Sequence, residues 1–347
     1  MSTQYGVAIL GTGMVADYHH QAVEAQDNAH LVAVSHHNPD KFAELSARFG
    51  VPCLAYDEVL ARADVDVICI CTPSGQHAEQ TIQAAEAGKH VLVEKPMALT
   101  LKDADAMIAA CDRAGVSLGV ALQRRAEPLF QQIKAATEAG DLGDLTLGVV
   151  TIPYVRDDAY YTQADWRGTW ALDGGGVLMN QGIHLVDLLI WLMGDPVSVQ
   201  AYADTLHRNV EVEDTLAASL KFANGSLATI TATTTAAPGF AHRLEVYGTQ
   251  GGIQVVGENV SAWGLAAGSP SHISPIQPQA DTDAGSGGDP RGIKPSGHIQ
   301  VLSDLLTSID AGKAPSIDGR EGKRSLKTIL DIYAAAGLDQ QGDNHVK

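Results

Sequence analysis

Basic residues are scarce: 23 Lys and Arg stand against 41 Asp and Glu, a formal net charge of −18. That balance argues against a nucleic-acid partner, because a phosphate backbone is held by clustered cationic side chains. Cysteine is equally sparse, with four in 347 residues (Cys53, Cys69, Cys71 and Cys111). Cys69 and Cys71 lie inside an apolar run, so they read as buried free thiols of a reducing compartment, not as a disulfide framework. No run of about 18 apolar residues occurs, which excludes a membrane-spanning helix and a membrane partner. The first residues lack a basic segment followed by an apolar stretch and a small-residue cleavage site, so a cytoplasmic protein without a signal peptide is expected. Neither a His-Glu-x-x-His nor a Cys-x-x-Cys motif is present. The adjacent pairs His19-His20 and His36-His37 are poorly arranged to hold one ion, so no metal is expected. Internal repeats and low-complexity tails are absent too.

What the chain does have is material for cores, with 45% hydrophobic and 18% charged residues. At this length two domains are expected. Val91, Leu92 and Val93 read as a short buried parallel strand, with Glu94, Lys95 and Pro96 at its carboxyl end. In an open α/β sheet that end is where ligands bind, and a lysine there can aim its ammonium at a bound molecule from rigid backbone. Pro96 has no N–H and stops the strand.

Upstream, Tyr5–Leu10 is a strand candidate, followed at once by Gly11-Thr12-Gly13-Met14-Val15-Ala16. A glycine-rich turn between strand and helix lets backbone approach a pyrophosphate, whose charge the helix N-terminus stabilises. Gly11, Thr12, Gly13, Met14 and Val15 are therefore expected to touch a dinucleotide. The second strand, residues 31–35, ends without the acid that usually binds the ribose diol in NAD sites. Ser35, His36 and His37 stand there instead, which implies a site that tolerates or binds a 2′-phosphate. NAD or NADP is thus the expected cofactor. Further strands are predicted over residues 65–71 and 116–122, with helices over 39–49, 77–87 and 101–115. This alternation predicts an α/β fold, a doubly wound (Rossmann) parallel sheet over residues 1–122.

Residues 123–347 predict a substrate-binding and oligomerisation domain of α+β class. A helix over 128–139, a strand over 145–155, a hairpin of 213–222 and 226–235 around Asn224-Gly225, and a strand pair at 243–246 and 252–256 imply a largely antiparallel open sheet. Residues 266–297, rich in Gly, Ser and Pro, read as a long loop. Helices over 298–311 and 320–336 close the chain and are expected to pack back on the first domain. Most informative is the stretch from Trp166 to Asp187. After Gly174-Gly175-Gly176 an apolar helix is predicted over 177–193, with Asn180, His184 and Asp187 at spacings of four and three on one face. Burying three polar side chains on one stripe is costly unless they are used or hydrogen-bonded. The preceding loop offers Tyr160, Tyr161, Trp166 and Arg167, groups suited to a sugar or polyol and to the nicotinamide side of a site.

None of the nine tyrosines is followed four residues later by lysine, which removes the short-chain dehydrogenase dyad. With GTGMVA at Gly11, TPSGQHAE at Thr72, EKP at Glu94, YY-x4-WRGTW running into DGGGVLMNQGIHLVDLL, and GKAPSIDGREG-x6-ILDIY near the end, the chain resembles the Gfo/Idh/MocA oxidoreductases over nearly its whole length. The resemblance implies a cytoplasmic enzyme, a homo-dimer or homo-tetramer built through the open sheet face. Its substrate would be a sugar, inositol or nucleotide sugar, with hydride transfer between NAD(P) and a secondary hydroxyl or keto group. It implies Lys95 and His184 as the catalytic pair, with Tyr161 and Asn180 joining them around the substrate. Cofactor contacts would extend to Thr72, Pro73, His77, Glu94, Lys95, Trp166 and Arg167. Many members carry an Asp four residues before the histidine; Asn180 holds that place here and cannot act as a base. The competing reading is a non-catalytic dinucleotide-binding sensor or scaffold, which needs neither Lys95 nor His184.

Overall fold

Apolar runs alternating with amphipathic segments build the first part of the computed structural model, which describes residues 4–277 and 295–338. The chain divides into two units, Met1–Glu127 with Lys294–Leu326, and Pro128–Ile293 with Lys327–Lys347. In the first unit come β1 (Tyr5–Leu10), α1 (Met14–Glu24), β2 (Ala29–Ser35), α2 (Phe42–Phe49), β3 (Cys53–Leu54) and α3 (Tyr56–Leu60). They are followed by β4 (Val67–Ile70), α4 (His77–Glu86), β5 (His90–Val93), α5 (Leu101–Ala114) and β6 (Leu118–Val120). The six strands are parallel, in the order β3-β2-β1-β4-β5-β6. Order reverses between β1 and β4, the switch point at whose carboxyl side open α/β sheets take their ligands. Every residue of β1 and β4 is buried, as expected where helices cover both faces of a parallel sheet.

The second unit holds α6 (Pro128–Glu138), β7 (Leu145–Pro153) and α7 (Asp158–Thr162), then a π turn (Val177–Gly182) that runs into α8 (Ile183–Met193). Its remaining strands are β8 (Pro196–Asp204), β9 (Thr215–Phe222), β10 (Leu227–Thr233), β11 (Arg243–Gly248), β12 (Gly251–Val256) and β13 (Asn259–Leu265). They form a seven-stranded sheet, β13-β12-β11-β7-β10-β9-β8. All neighbours are antiparallel except β7 and β10. Alternation along β9 and β10 turns Leu216, Ala218, Leu220, Phe222, Ala228, Ile230 and Ala232 inward. Leu147, Tyr202 and Leu227 stand exposed on the other face. Two helices close the chain: α9 (Ser296–Asp310), packed on α1 in the first unit, and α10 (Gly319–Ala335).

The hairpin at Asn224-Gly225 forms as expected, with Gly225 at φ +87 in the turn. Three strands escaped the sequence pattern, the two-residue β3 and, in the second unit, β8 and β13. The inward positions of β8 are Val199, Ala201 and Ala203, only half-buried beneath small side chains, and β13 is an edge strand with little alternation. The helix expected over 177–193 is also not uniform, since its first turn is π. Asn180 lies in that wider turn, so the even four-and-three stripe of an α-helix does not include it. The loop expected over 266–297 falls partly outside the described residues. No helix among the described residues is long and apolar enough to cross a membrane.

Candidate active site

In the first unit the glycine turn links β1 to α1. Gly11 adopts φ +88, and a Cβ there would meet the Cys71 carbonyl oxygen at 2.7 Å, so this glycine serves the tight packing of the turn. Gly13 differs: nothing lies within 4 Å of a Cβ built on it, which leaves open space at the N-terminus of α1. Ala16 is fully buried against the sheet. Thr12 and Val15 are half-buried and Met14 is exposed. The open space beside Gly13 lies at a helix N-terminus, whose free N–H groups are suited to an anion.

At the end of β2 Ser35 is buried and its carbonyl accepts the Gly11 N–H at 3.0 Å. His36 stacks on His37 with ring centroids 4.4 Å apart, and its Nδ1 accepts the Asn38 N–H at 3.0 Å. Partial burial lowers the His36 pKa, and the neighbouring His37 and Lys41 charges lower it further against the Asn38 backbone hydrogen bond. Residues 35–38 at this strand end, Ser-His-His-Asn, include no carboxylate.

Thr72 and Pro73 follow β4 and are half-buried. His77 turns inward and is buried, its Nδ1 lying 2.8 Å from the Pro96 carbonyl and its Nε2 2.9 Å from the Thr72 carbonyl. It braces the two strand-end loops, and burial lowers its pKa. Lys95, half-buried at the end of β5, precedes a cis proline. Glu94 beside it is buried. Its Oε1 lies 2.8 Å from His19 Nε2 of α1 and 3.4 Å from His298 Nε2 of α9, and its Oε2 accepts the Lys95 N–H at 3.2 Å. Burial opposes ionisation of this carboxyl, yet the two histidine hydrogen bonds outweigh it and hold its pKa well below the ordinary value. Burial in turn lowers the pKa of His19, so a neutral His19 imidazole donating Nε2–H to an anionic Glu94 fits the geometry. The three ligating atoms lie within 4.8 Å of one another, close enough for an ion. Metal-bound histidines, however, normally donate from their other nitrogen, and among the described residues neither Nδ1 has a partner. The trio is a hydrogen-bonded carboxylate, not a cation site.

In the second unit Tyr160 is the centre of the aromatic loop. The Arg167 guanidinium lies 4.1 Å from its ring centroid and that of Arg156 lies 5.2 Å away. Its hydroxyl accepts a hydrogen bond from Gln181 at 3.1 Å, and burial raises its pKa. Trp166 stacks on the same arginine at 5.0 Å. Tyr161 bonds Thr234 through its hydroxyl at 3.2 Å. Asn180 donates from Nδ2 to Asp173 Oδ1 at 2.6 Å, while Oδ2 of that buried aspartate accepts the Gly168 N–H at 2.9 Å. His184 is half-buried on the first turn of α8, and Asp187, one turn on, is buried. The structure thus gathers Trp166, Arg167, Asn180 and Tyr160 into one polar cluster, and adds Arg156, Asp173 and Gln181, which lie outside the site residues expected from the sequence. Asp173 carried one usable signal: it is the acid that directly precedes the three glycines.

A Rossmann sheet with a glycine turn and a strand-end lysine, joined in one chain to a mostly antiparallel sheet domain with a helix histidine, defines a class of dinucleotide-dependent oxidoreductases. Residues 5–122 match the oxidoreductase family with an NAD-binding Rossmann fold, and residues 130–254 match the GFO/IDH/MocA C-terminal domain. The chain belongs to the Gfo/Idh/MocA oxidoreductase family. Its sequence is 26% identical over 349 residues to the myo-inositol 2-dehydrogenase of Thermotoga maritima, covering 96% of each chain. It is 30% identical over 303 residues to the 1,5-anhydro-D-fructose reductase of Ensifer adhaerens, covering 85% of this chain and 84% of that one. In structure it resembles the WlbA dehydrogenase from Bordetella pertussis, crystallised with NADH and UDP-GlcNAcA, with a TM-score of 0.87, 32% identity and 97% of each chain covered.

Proposed function

We propose that the chain is a cytoplasmic, homo-oligomeric dehydrogenase that moves a hydride between NAD and a secondary carbinol of a sugar, inositol or nucleotide sugar. The observation that carries this reading is the likeness, over 97% of each chain, to a dehydrogenase crystallised with NADH and UDP-GlcNAcA. Among these substrates the guanidiniums of Arg156 and Arg167, both against the Tyr160 ring, favour a phosphate- or carboxylate-bearing sugar, since each presents planar donors. The cytoplasm agrees with four free cysteines.

In the oxidising direction Lys95 donates a hydrogen bond to the carbinol oxygen and stabilises the developing alkoxide. His184 accepts the hydroxyl proton. The C–H electron pair leaves as hydride and the carbon becomes a carbonyl; NAD, when bound, supplies the acceptor carbon for that hydride. Asn180, clamped by Asp173, is oriented to bond a substrate hydroxyl, and Tyr161, Trp166 and Arg167 shape the surrounding wall. His36 and His37, in place of an acid, leave NADP tolerated beside NAD.

The test is reduction of NAD and NADP by purified protein with myo-inositol and UDP-GlcNAcA, and oxidation of NADH and NADPH with 1,5-anhydro-D-fructose. Turnover of at least one probe is expected, lowered by about a hundredfold or more in Lys95→Ala and in His184→Ala with NADH binding retained. Near-normal kcat in either variant removes that residue from catalysis. NADH binding without turnover of any probe supports the sensor reading instead, and strict use of NAD ends the proposed tolerance of NADP.

A further inference from the structure

A buried carboxylate that this chemistry does not use stands at the start of the π turn. Glu213, which leads into β9, is 2% exposed. Its Oε2 accepts the Gly176 N–H at 2.7 Å, its backbone carbonyl the Val177 N–H at 3.1 Å, and its Oε1 the Leu178 N–H at 2.9 Å. The next amide, Met179 N–H, goes at 3.2 Å to the hydroxyl of Tyr333 on α10, and that hydroxyl donates to Glu213 Oε1 at 2.8 Å. A helix leaves its first four N–H groups without partners of its own. Here two residues from distant parts of the chain satisfy all four. The glycine run follows from the same contact. A Cβ on Gly176 would collide with the Glu213 carbonyl, and one on Gly175, which adopts φ +157, would collide with the Tyr333 hydroxyl.

We propose that Glu213 and Tyr333 are positioning residues: by holding the amides of residues 176–179 they set the register of the π turn, and with it the placement of Asn180 and His184. The consequence for catalysis rests on the reading of His184 as the base. Two features make the device act in the working range of the enzyme. An anionic carboxylate at a helix start also matches the helix dipole, so ionised Glu213 is the form that fits its donors. Burial nevertheless raises its pKa to about 7, against the lowering effect of the Leu178, Tyr333 and Gly176 hydrogen bonds. As pH falls through that value, one acceptor oxygen becomes a donor facing donors, and the grip on the turn loosens. The other ionisable groups facing it are Tyr333, pushed up by burial and by the Glu213 charge, and beyond it Asp173. Asp214, next in the chain, turns away to the N–H groups of Leu206, His207 and Arg208.

The experiment uses the full chain saturated with NADH, comparing wild type, Glu213→Gln and Tyr333→Phe between about pH 6 and 8. Hydrogen exchange, corrected for intrinsic rates, is read on peptides spanning residues 174–186, and carbethoxylation of His184 by diethylpyrocarbonate is read by mass. In the wild type, protection of the 176–179 amides should fall about tenfold as pH is lowered from about 8 to about 6. The Gln variant should lose this pH dependence, and the Phe variant should shift its midpoint upward because the carboxylate loses a donor. The modification rate of His184, relative to that of exposed His30, should change by about threefold or more in both variants. Melting temperatures and exchange elsewhere separate this local effect from general unfolding. Unchanged local protection and unchanged His184 reactivity in both variants overturn the proposal whatever His184 does. Retained turnover in His184→Ala would instead withdraw the catalytic reading and leave the anchoring result standing.

Discussion

Asn180 shows how one atom pair can change the meaning of a position. Where many relatives of this fold are expected to carry an acid, this chain has an amide, and the carboxylate stands seven residues earlier in Asp173, 2.6 Å from the Asn180 Nδ2. Exchange to aspartate would put two carboxylates in that contact. Unit charges about 3 Å apart repel by roughly 5 kcal/mol even at an effective dielectric of 20, and the half-exposed side of residue 180 screens part of that. One carboxyl of the pair must therefore titrate higher in the folded protein than in the unfolded chain. A raised folded pKa of an acid means stability that is present at low pH and lost as pH rises through it. Asn180→Asp should accordingly melt like wild type near pH 5 and about 3 °C lower or more near pH 8, with no gain in kcat. Equal melting at both pH values would show that the two side chains do not share the site.

Among the elements, the glycine turn before α1 separates two roles that sequence alone assigns together. Gly11 is confined by backbone, with φ +88 and the Cys71 carbonyl 2.7 Å from where a Cβ would sit, whereas a Cβ on Gly13 meets nothing within 4 Å. A side chain at position 11 strains the fold, and one at position 13 enters open space, where the proposed pyrophosphate would lie. Gly13→Val should fold, melting within a few degrees of wild type, yet bind NADH at least about tenfold more weakly. Gly11→Ala should lose about 1–3 kcal/mol of stability. Fluorescence titration and thermal melts on the same preparations decide it; unchanged NADH affinity in folded Gly13→Val would mean that the turn does not hold the dinucleotide.

For the molecule as a whole, the unsolved surface is the outer face of the seven-stranded sheet. Tyr202 is 86% exposed on β8, and Leu147 and Leu227 pair across β7 and β10 on that same face. An extended apolar and threonine-rich sheet face that no layer covers among the described residues suits a second copy of itself, given about 800 Å² per partner. Tyr202→Glu combined with Thr229→Lys should lower the mass seen by light scattering toward that of the single chain, with secondary structure unchanged. A wild type already monomeric at working concentration would refute the interface. The strongly periodic parts of this protein were determined by the sequence itself: the alternation from Tyr5 onward that makes the parallel sheet, the glycine turn, the Asn224-Gly225 hairpin, and Lys95 at a strand end. Local patterns suffice there because burial on one face or both writes itself into neighbouring residues. Tertiary structure alone decided the rest. Glu213 and Tyr333 reach the start of the π turn from distant segments, His19 and His298 meet on Glu94, and Asp173 clamps Asn180. Each is a buried polar contact whose partner is chosen by packing and by the need to satisfy desolvated groups, and no local period records that choice.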